Sequence, residues 1–107
     1  MATEEQKAMQ VENFLNRAYK LDRRIKRPSK GEYYSLTRAE QDGNAQKELD
    51  ILKNRIEQAI DIFFKQRLNH KTEEHLRILL SHNASAKNSN DINNVVEKGL
   101  LLTEPFK

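Results

Sequence analysis

Apolar residues recur along this chain in alternating steps of three and four, and the longest such run lies within residues 45–68. Its members form one stripe: Ala45, Leu49, Leu52, Ile56, Ala59 and Phe63. At about 100° per residue, this spacing places them on one face of an α-helix. Both shoulders of the stripe carry further apolar side chains: Ile51, Ile62, Ile60 and Phe64. A helix over 45–68 is therefore predicted as the central element, with neighbours on both sides.

A second run of the same spacing predicts a helix over residues 4–27. Its stripe is Val11, Phe14, Ala18, Leu21 and Ile25. Thr3 can cap the start, and Glu4 and Glu5 then lie where the helix dipole favours negative charge. Pro28 is expected to end the helix, because the residue before a proline is disfavoured in the α conformation.

The segment between these two helices leaves two interpretations open. Residues 28–35 contain Pro and Gly and predict a connector, and Thr37-Arg-Ala-Glu40 matches a capping box that would start a helix. Asp42-Gly43-Asn44 favours a turn. Either a short helix precedes a break, or one long helix accommodates Gly43 at about 1 kcal/mol. The break is the favoured interpretation.

After residue 68 the apolar runs are shorter. Thr72 is expected to cap a helix over 72–83, and a final short helix is predicted over 91–98 with Gly99 as its stop. Residues 84–90, rich in Asn and Ser, and residues 100–107 are expected to be loosely ordered. Leu100–Leu102 either pack as a tail or form an exposed apolar patch.

These elements predict a single all-α domain over residues 1–107. Short connectors make sequential helices antiparallel neighbours, so we expect an antiparallel three-helix bundle with helix 45–68 in the middle and a short C-terminal helix. The heptad-like spacing on both long helices also allows a coiled-coil-like homodimer.

Composition points to a cytoplasmic protein. The chain has no Cys, which excludes disulfides and thiolate metal sites. Its mean hydropathy is −0.90, and no apolar run approaches the roughly 18 residues that span a bilayer. The opening residues lack the apolar core of a signal peptide. We expect no membrane contact.

The positive charge is concentrated near the start. Residues 1–30 carry eight Lys or Arg against four Asp or Glu, whereas the remainder has a net charge of −1. On the predicted first helix, the basic residues form a flank beside the apolar stripe: Arg17, Lys20, Arg23, Arg24 and Arg27. Such a flank is suited to successive DNA or RNA phosphates or to an acidic protein surface. The alternative is a solvated face whose Arg stems cover the core edge.

The sequence predicts no enzyme, metal site, cofactor or small-molecule ligand. Arg77 and His82 have the Arg-x4-His spacing of HEPN-type ribonucleases, but Ile78 stands where a polar residue is usual. An enzyme hypothesis requires these two side chains to converge in a cleft. The spacing of His75 and His82 does not direct two imidazoles at one metal ion.

Phe14–Ile25, with the sequence FLNRAYKLDRRI, resembles the opening helix of phage-encoded late-gene (sigma-like) transcriptional regulators. In that family a coiled N-terminal part precedes a C-terminal helix-turn-helix. The resemblance implies a phage or mobile-element protein that contacts nucleic acid or polymerase. Residues 83–94, where a recognition unit would be expected, are instead rich in Asn.

Two functions remain as predictions. The first is a small regulatory or adaptor protein that acts by protein–protein interaction, through its helix faces and Leu100–Leu102, with another protein or a second copy as partner. The alternative is a nucleic-acid-binding protein that uses the basic flank on DNA or RNA.

Overall fold

The computed structural model describes residues 2–107, which form five α-helices and a short 3-10 turn. The helices are α1 (Glu4–Leu21), α2 (Gly31–Gln41), α3 (Gln46–Phe64), α4 (His70–Ser85) and α5 (Ser89–Leu102), and the turn is Glu104–Phe106. The described residues contain no strand. The prediction of an all-α protein is confirmed, but there are five helices in place of three and a short fourth.

Four of the helices pack in a ring in the order α1, α3, α4 and α5, and α2 lies against α1, α3 and α5. Gln10 bonds to Asn93 and Arg17 to Leu100, so α1 and α5 run in the same direction. α1 and α3 also run in the same direction: the Lys65 charge at the end of α3 acts on Asp22 at the end of α1, and α2, which leads into α3, bonds through Thr37 to Glu4 at the start of α1. Only the short connectors around α4 give the antiparallel neighbours that the sequence predicted.

The predicted apolar stripes of the two long helices form the core. The α3 stripe is buried from Leu49 to Phe63, and Phe63 lies against Phe14 of α1 with their ring centroids 5.5 Å apart. Apart from Leu21, which is exposed, and Ile25, which lies beyond the end of α1, both heptad-like stripes are therefore covered within one chain. A dimer would have to use another surface.

α1 ends at Leu21, so the prediction that it reaches Arg27 is wrong. Asp22 is the residue at which the helix stops, and its carboxylate accepts hydrogen bonds from the Arg24 amide (3.0 Å) and guanidinium (2.8 Å). An Asp side chain that bonds the amide two residues on favours a turn over a continuing helix. Residues 22–30 consequently form an irregular segment.

α2 begins earlier than predicted. The expected capping box is not at a helix start, because Thr37 lies in the middle of α2 and its hydroxyl donates to Glu4 at 2.6 Å. The helix begins at Gly31, where the Ser29 amide donates to the Glu32 carboxylate at 3.2 Å. The favoured break is confirmed: α2 stops at Gln41, and Gly43 has a φ of 77°, a conformation that suits glycine.

The Asn-rich segment is more ordered than predicted. Asn88 caps α5 by accepting a hydrogen bond from the Asp91 amide at 2.9 Å. The buried side chain of Asn83 donates to the Lys53 carbonyl at 3.0 Å. Asn is disfavoured in helix interiors, but in this fold one Asn side chain caps a helix and another joins two helices.

Gly99 does not stop the last helix, which continues to Leu102. It lies inside α5 against the Phe14 ring, where a Cβ would come within 2.5 Å of the nearest ring carbon. Leu100 and Leu102 are half-buried, whereas Leu101 is exposed. None of the helices over residues 2–107 is both long and apolar enough to cross a membrane.

Candidate functional site

Arg17, the first residue of the predicted basic flank, is held inside the fold. Its guanidinium donates to the Leu100 carbonyl at 2.6 Å and to the Thr103 hydroxyl at 3.0 Å, and lies 3.5 Å from Glu104. Only 11% of the side chain is exposed. Cationic side chains are favoured at helix C-termini, where carbonyls lack partners. Arg17 therefore fastens the end of α5 to α1.

The other four predicted residues are exposed, but they do not form a row on one helix. Lys20 lies in the last turn of α1, and Arg23, Arg24 and Arg27 lie in the irregular segment that follows it. We call these four residues the basic cluster. The guanidinium carbon of Arg23 lies 5.6 Å from the centroid of the Tyr19 ring, a cation–π distance.

Asp22 balances part of this charge. Hydrogen bonds from Arg24 hold the pKa of the Asp22 carboxyl at about 2, below its usual 3.8, and raise the pKa of the Arg24 guanidinium. The charge of Arg24 is thus engaged locally. Within residues 2–107, Lys20, Arg23 and Arg27 form no ion pair and remain available to an anionic partner.

A second surface feature is an apolar groove between α4 and α5, which we call the α4–α5 groove. It has a volume of about 260 Å³. Its lining comprises His75, Ile78, Leu79, His82, Lys98, Leu101 and Leu102. Ile78 on α4 is 53% exposed and Leu101 on α5 is 76% exposed. The groove therefore presents apolar side chains from both helices to solvent, beside one Lys and two His.

The groove continues into a more polar depression of about 270 Å³, which shares His82 and Lys98 with it. Asp91 and Asn94 line this part. The Asp91 carboxylate already accepts a hydrogen bond from the Lys87 amide at 2.9 Å. The two depressions together run along the contact between α4 and α5.

The pair proposed for an enzyme does not meet in this groove. The Arg77 guanidinium donates to the Glu73 carboxylate at 2.8 Å and is absent from the groove lining, whereas His82 belongs to it. In the part of the chain that the structure describes, no three His, Asp or Glu side chains come close enough to hold a metal ion.

Sequence reasoning singled out Leu100–Leu102 but missed Ile78 as a surface residue. Its exposure could have been predicted from its position, because Leu76 and Leu79 define the buried face of α4 and Ile78 falls outside that face.

Comparison of the chain with models of protein families, with curated proteins and with solved structures finds no match.

Proposed function

We propose that this chain is a small helical regulatory or adaptor protein that acts by protein–protein interaction through the α4–α5 groove. The observation that carries the proposal is the exposure of Ile78 and Leu101 beside the groove. Large apolar side chains that converge from neighbouring elements on a hydrophilic chain are typical of interaction sites. The partner is another protein or a second copy of the chain.

Burial supplies the driving force for this interaction. Covering a Leu or Ile side chain that is otherwise in water contributes about 1.5–3 kcal/mol when burial is complete. Grooves between two helices commonly accept the apolar face of a partner helix. Lys98 and the two His side chains supply polar contacts beside that apolar centre.

Affinity capture with the full chain as bait tests the proposal. Proteins from a lysate of the source cells are compared for the wild type, Ile78→Glu and Leu101→Glu. The matched control is Leu21→Glu, another exposed apolar residue, at the end of α1. We expect partners retained by the wild type and the control to be lost from both groove variants, because a carboxylate in an apolar contact is costly to desolvate.

Equal recovery from all four baits would contradict a role for the groove. Thermal unfolding of each variant should remain close to that of the wild type, because the substituted side chains are exposed.

We propose nucleic-acid binding as a second candidate function, through the basic cluster. Its support is the exposure of Lys20, Arg23 and Arg27 without ion-pair partners within residues 2–107, with Tyr19 beside Arg23 for stacking. The resemblance of residues 14–25 to phage late-gene regulators is in keeping with such a partner. Arg17 is not part of this proposal, because its guanidinium is engaged within the fold.

Fluorescence anisotropy with labelled single-stranded and duplex DNA and RNA, over a series of salt concentrations, tests this second function. Each Lys or Arg that contacts a phosphate makes the slope of log affinity against log salt concentration more negative by about 0.7–0.9. Arg27→Glu should weaken binding more than Arg24→Glu, because Arg24 is already paired with Asp22. Lys47→Glu on the exposed start of α3 is the control of equal charge change. Absence of binding at low salt would exclude this function.

A further inference from the structure

Two basic parts of the chain, far apart in sequence, meet at one end of the fold. Phe63, near the end of α3, lies against Phe14 of α1 with the ring centroids 5.5 Å apart. Because α1 and α3 run in the same direction, both helices finish at this end. The Arg55 guanidinium of α3 also donates to the Lys26 carbonyl at 2.8 Å, so α3 lies beside the irregular segment that follows α1.

Lys65, the residue after the last turn of α3, is close enough to the irregular segment to influence its charges. Hydrogen bonds from Arg24 lower the pKa of the Asp22 carboxyl most, and the positive charge of Lys65 lowers it further. Lys65 and Arg67 are both exposed, and neither forms an ion pair within residues 2–107. We call the basic cluster together with Lys65 and Arg67 the basic end.

The basic end differs in charge from the rest of the molecule. Residues 20–27 and the connector 65–69 together carry seven Lys or Arg against one Asp, a net charge of +6. The other residues of the chain carry twelve Lys or Arg against fifteen Asp or Glu, a net charge of −3. The excess positive charge of the protein is therefore located at this end.

The carboxylates at this end leave most of that charge free. Asp22 is already paired within the irregular segment, and Glu104, which follows α5, lies 3.5 Å from the Arg17 guanidinium. Asp61 is exposed one helical turn before Lys65 and forms no ion pair within residues 2–107. One unpaired carboxylate on α3 thus accompanies a surface with several free cations.

We infer that the basic end binds the sugar–phosphate backbone of double-stranded nucleic acid, with Lys65 and Arg67 contacting phosphates alongside the basic cluster. The inference rests on the second candidate function, nucleic-acid binding, and names its substrate class and two further binding residues. A duplex carries one negative charge for about every 1.7 Å of its axis. Cations grouped from two elements of the fold can therefore neutralise several of its phosphates at once.

Single strands are held differently, by bases that stack on successive aromatic rings. Six of the seven aromatic residues belong to the core or pack against it. The exception is Tyr19, and the guanidinium carbon of Arg23 lies over its ring at 5.6 Å. The basic end therefore offers one ring for stacking. Five of its cations have no ion pair within residues 2–107: Lys20, Arg23, Arg27, Lys65 and Arg67.

Fluorescence anisotropy of the full chain tests the inference, with labelled DNA and RNA duplexes and single strands of equal length over a series of salt concentrations. We expect a duplex to bind more tightly than either single strand at low salt, and the comparison of the two duplexes identifies DNA or RNA. Two duplexes of unrelated sequence should bind equally, because phosphate contacts carry no sequence information. With all five cations on phosphates of duplex DNA, the slope of log affinity against log salt concentration should be about −4 to −5.

Single substitutions test the residues that α3 contributes. Lys65→Gln and Arg67→Gln should each weaken binding at low salt and make the slope less negative by about 0.9. Asp61→Asn should strengthen binding, because it removes a negative charge one helical turn from Lys65. Lys47→Gln, the same charge change near the start of α3, is the control and should leave affinity and slope unchanged.

The outcomes separate this inference from the function on which it rests. If Arg27→Gln weakens binding while Lys65→Gln and Arg67→Gln behave like the control, the inference is overturned and the second candidate function stands. Tighter binding of a single strand than of either duplex would overturn the assignment of a duplex. A wild-type chain that binds none of these nucleic acids at low salt would refute the function and the inference together.

Discussion

At the scale of single residues, side chains that bond to nearby backbone groups decide where the helices begin and end. Asp22 stops α1 by bonding to the Arg24 amide, and Asn88 starts α5 by bonding to the Asp91 amide. Arg17 closes the other end of α5. Arg17, the first residue of the predicted basic flank, thus serves the fold, and the four residues that follow it in the flank are exposed.

The Asp22–Arg24 contact predicts a pH dependence. The folded-state pKa of Asp22 lies below its usual value, so the contact stabilises the fold fully above about pH 3.8, and this contribution is lost as the pH falls towards about 2. Arg24→Gln should raise the pKa of Asp22 towards 3.8, as followed by the carboxyl chemical shift in an NMR titration. Arg27→Gln is the control, and an unchanged titration in Arg24→Gln would contradict the assignment.

Replacement of Gly99 by Ala should carry a packing cost that helix propensity alone does not predict. Ala is preferred to Gly inside a helix by about 1 kcal/mol, but the new methyl would press on the buried Phe14 ring. Overpacking of this kind costs about 1–3 kcal/mol, so Gly99→Ala should lower the free energy of unfolding in urea by up to about 2 kcal/mol net. Gly31→Ala, with no atom closer than 3.6 Å, should not be destabilising.

At the scale of elements, α2 is tied to its neighbours by polar contacts as much as by apolar ones. Glu40 accepts hydrogen bonds from the amide (2.7 Å) and the hydroxyl (2.6 Å) of Ser89, at the start of α5. At the other end of α2, Glu32 pairs with Arg55 of α3, whose Nε lies 2.7 Å from a carboxylate oxygen. Arg55 also donates to the Lys26 carbonyl at 2.8 Å, so it secures the irregular segment as well.

Breaking the Glu32–Arg55 pair should be strongly destabilising, because the two side chains are only 16% and 10% exposed. Glu32→Leu leaves a buried guanidinium without its carboxylate and is expected to cost about 3 kcal/mol in urea unfolding. The double variant with Arg55→Met should be less destabilised than Glu32→Leu alone. Glu73→Ala removes an exposed pair with Arg77 and should cost no more than about 0.5 kcal/mol. Equal losses for Glu32→Leu and Glu73→Ala would refute the role of burial.

Much of the helical structure was predictable from the sequence, and the predictions that were wrong failed for physical reasons. The α3 stripe was predictable because long-range periodicity reports a buried face directly. The start of α2 was not, because only Tyr33 and Leu36 among its residues are buried, and polar bonds to distant residues supply the rest. The Asn-rich residues 84–90 suggested a loose segment, yet Asn88 caps α5 by accepting a hydrogen bond from the Asp91 amide.

At the scale of the whole molecule, the candidate surfaces arise from how the helices are arranged. Periodicity identifies which residues are apolar, but the exposure of Ile78 and Leu101 depends on α4 and α5 lying side by side. No pattern along the chain contains this arrangement.

The packing of α1 against α5 also determines the order in which the chain can complete its fold during synthesis. The bonds from Gln10 to Asn93 and from Arg17 to Leu100 each join residues 83 positions apart. At roughly 5–20 residues per second, a ribosome takes on the order of ten seconds to make that length. During this interval the Phe14 ring lacks the contact with Gly99 that covers it in the folded protein. This period ends only when α5, the last helix to be made, packs against α1.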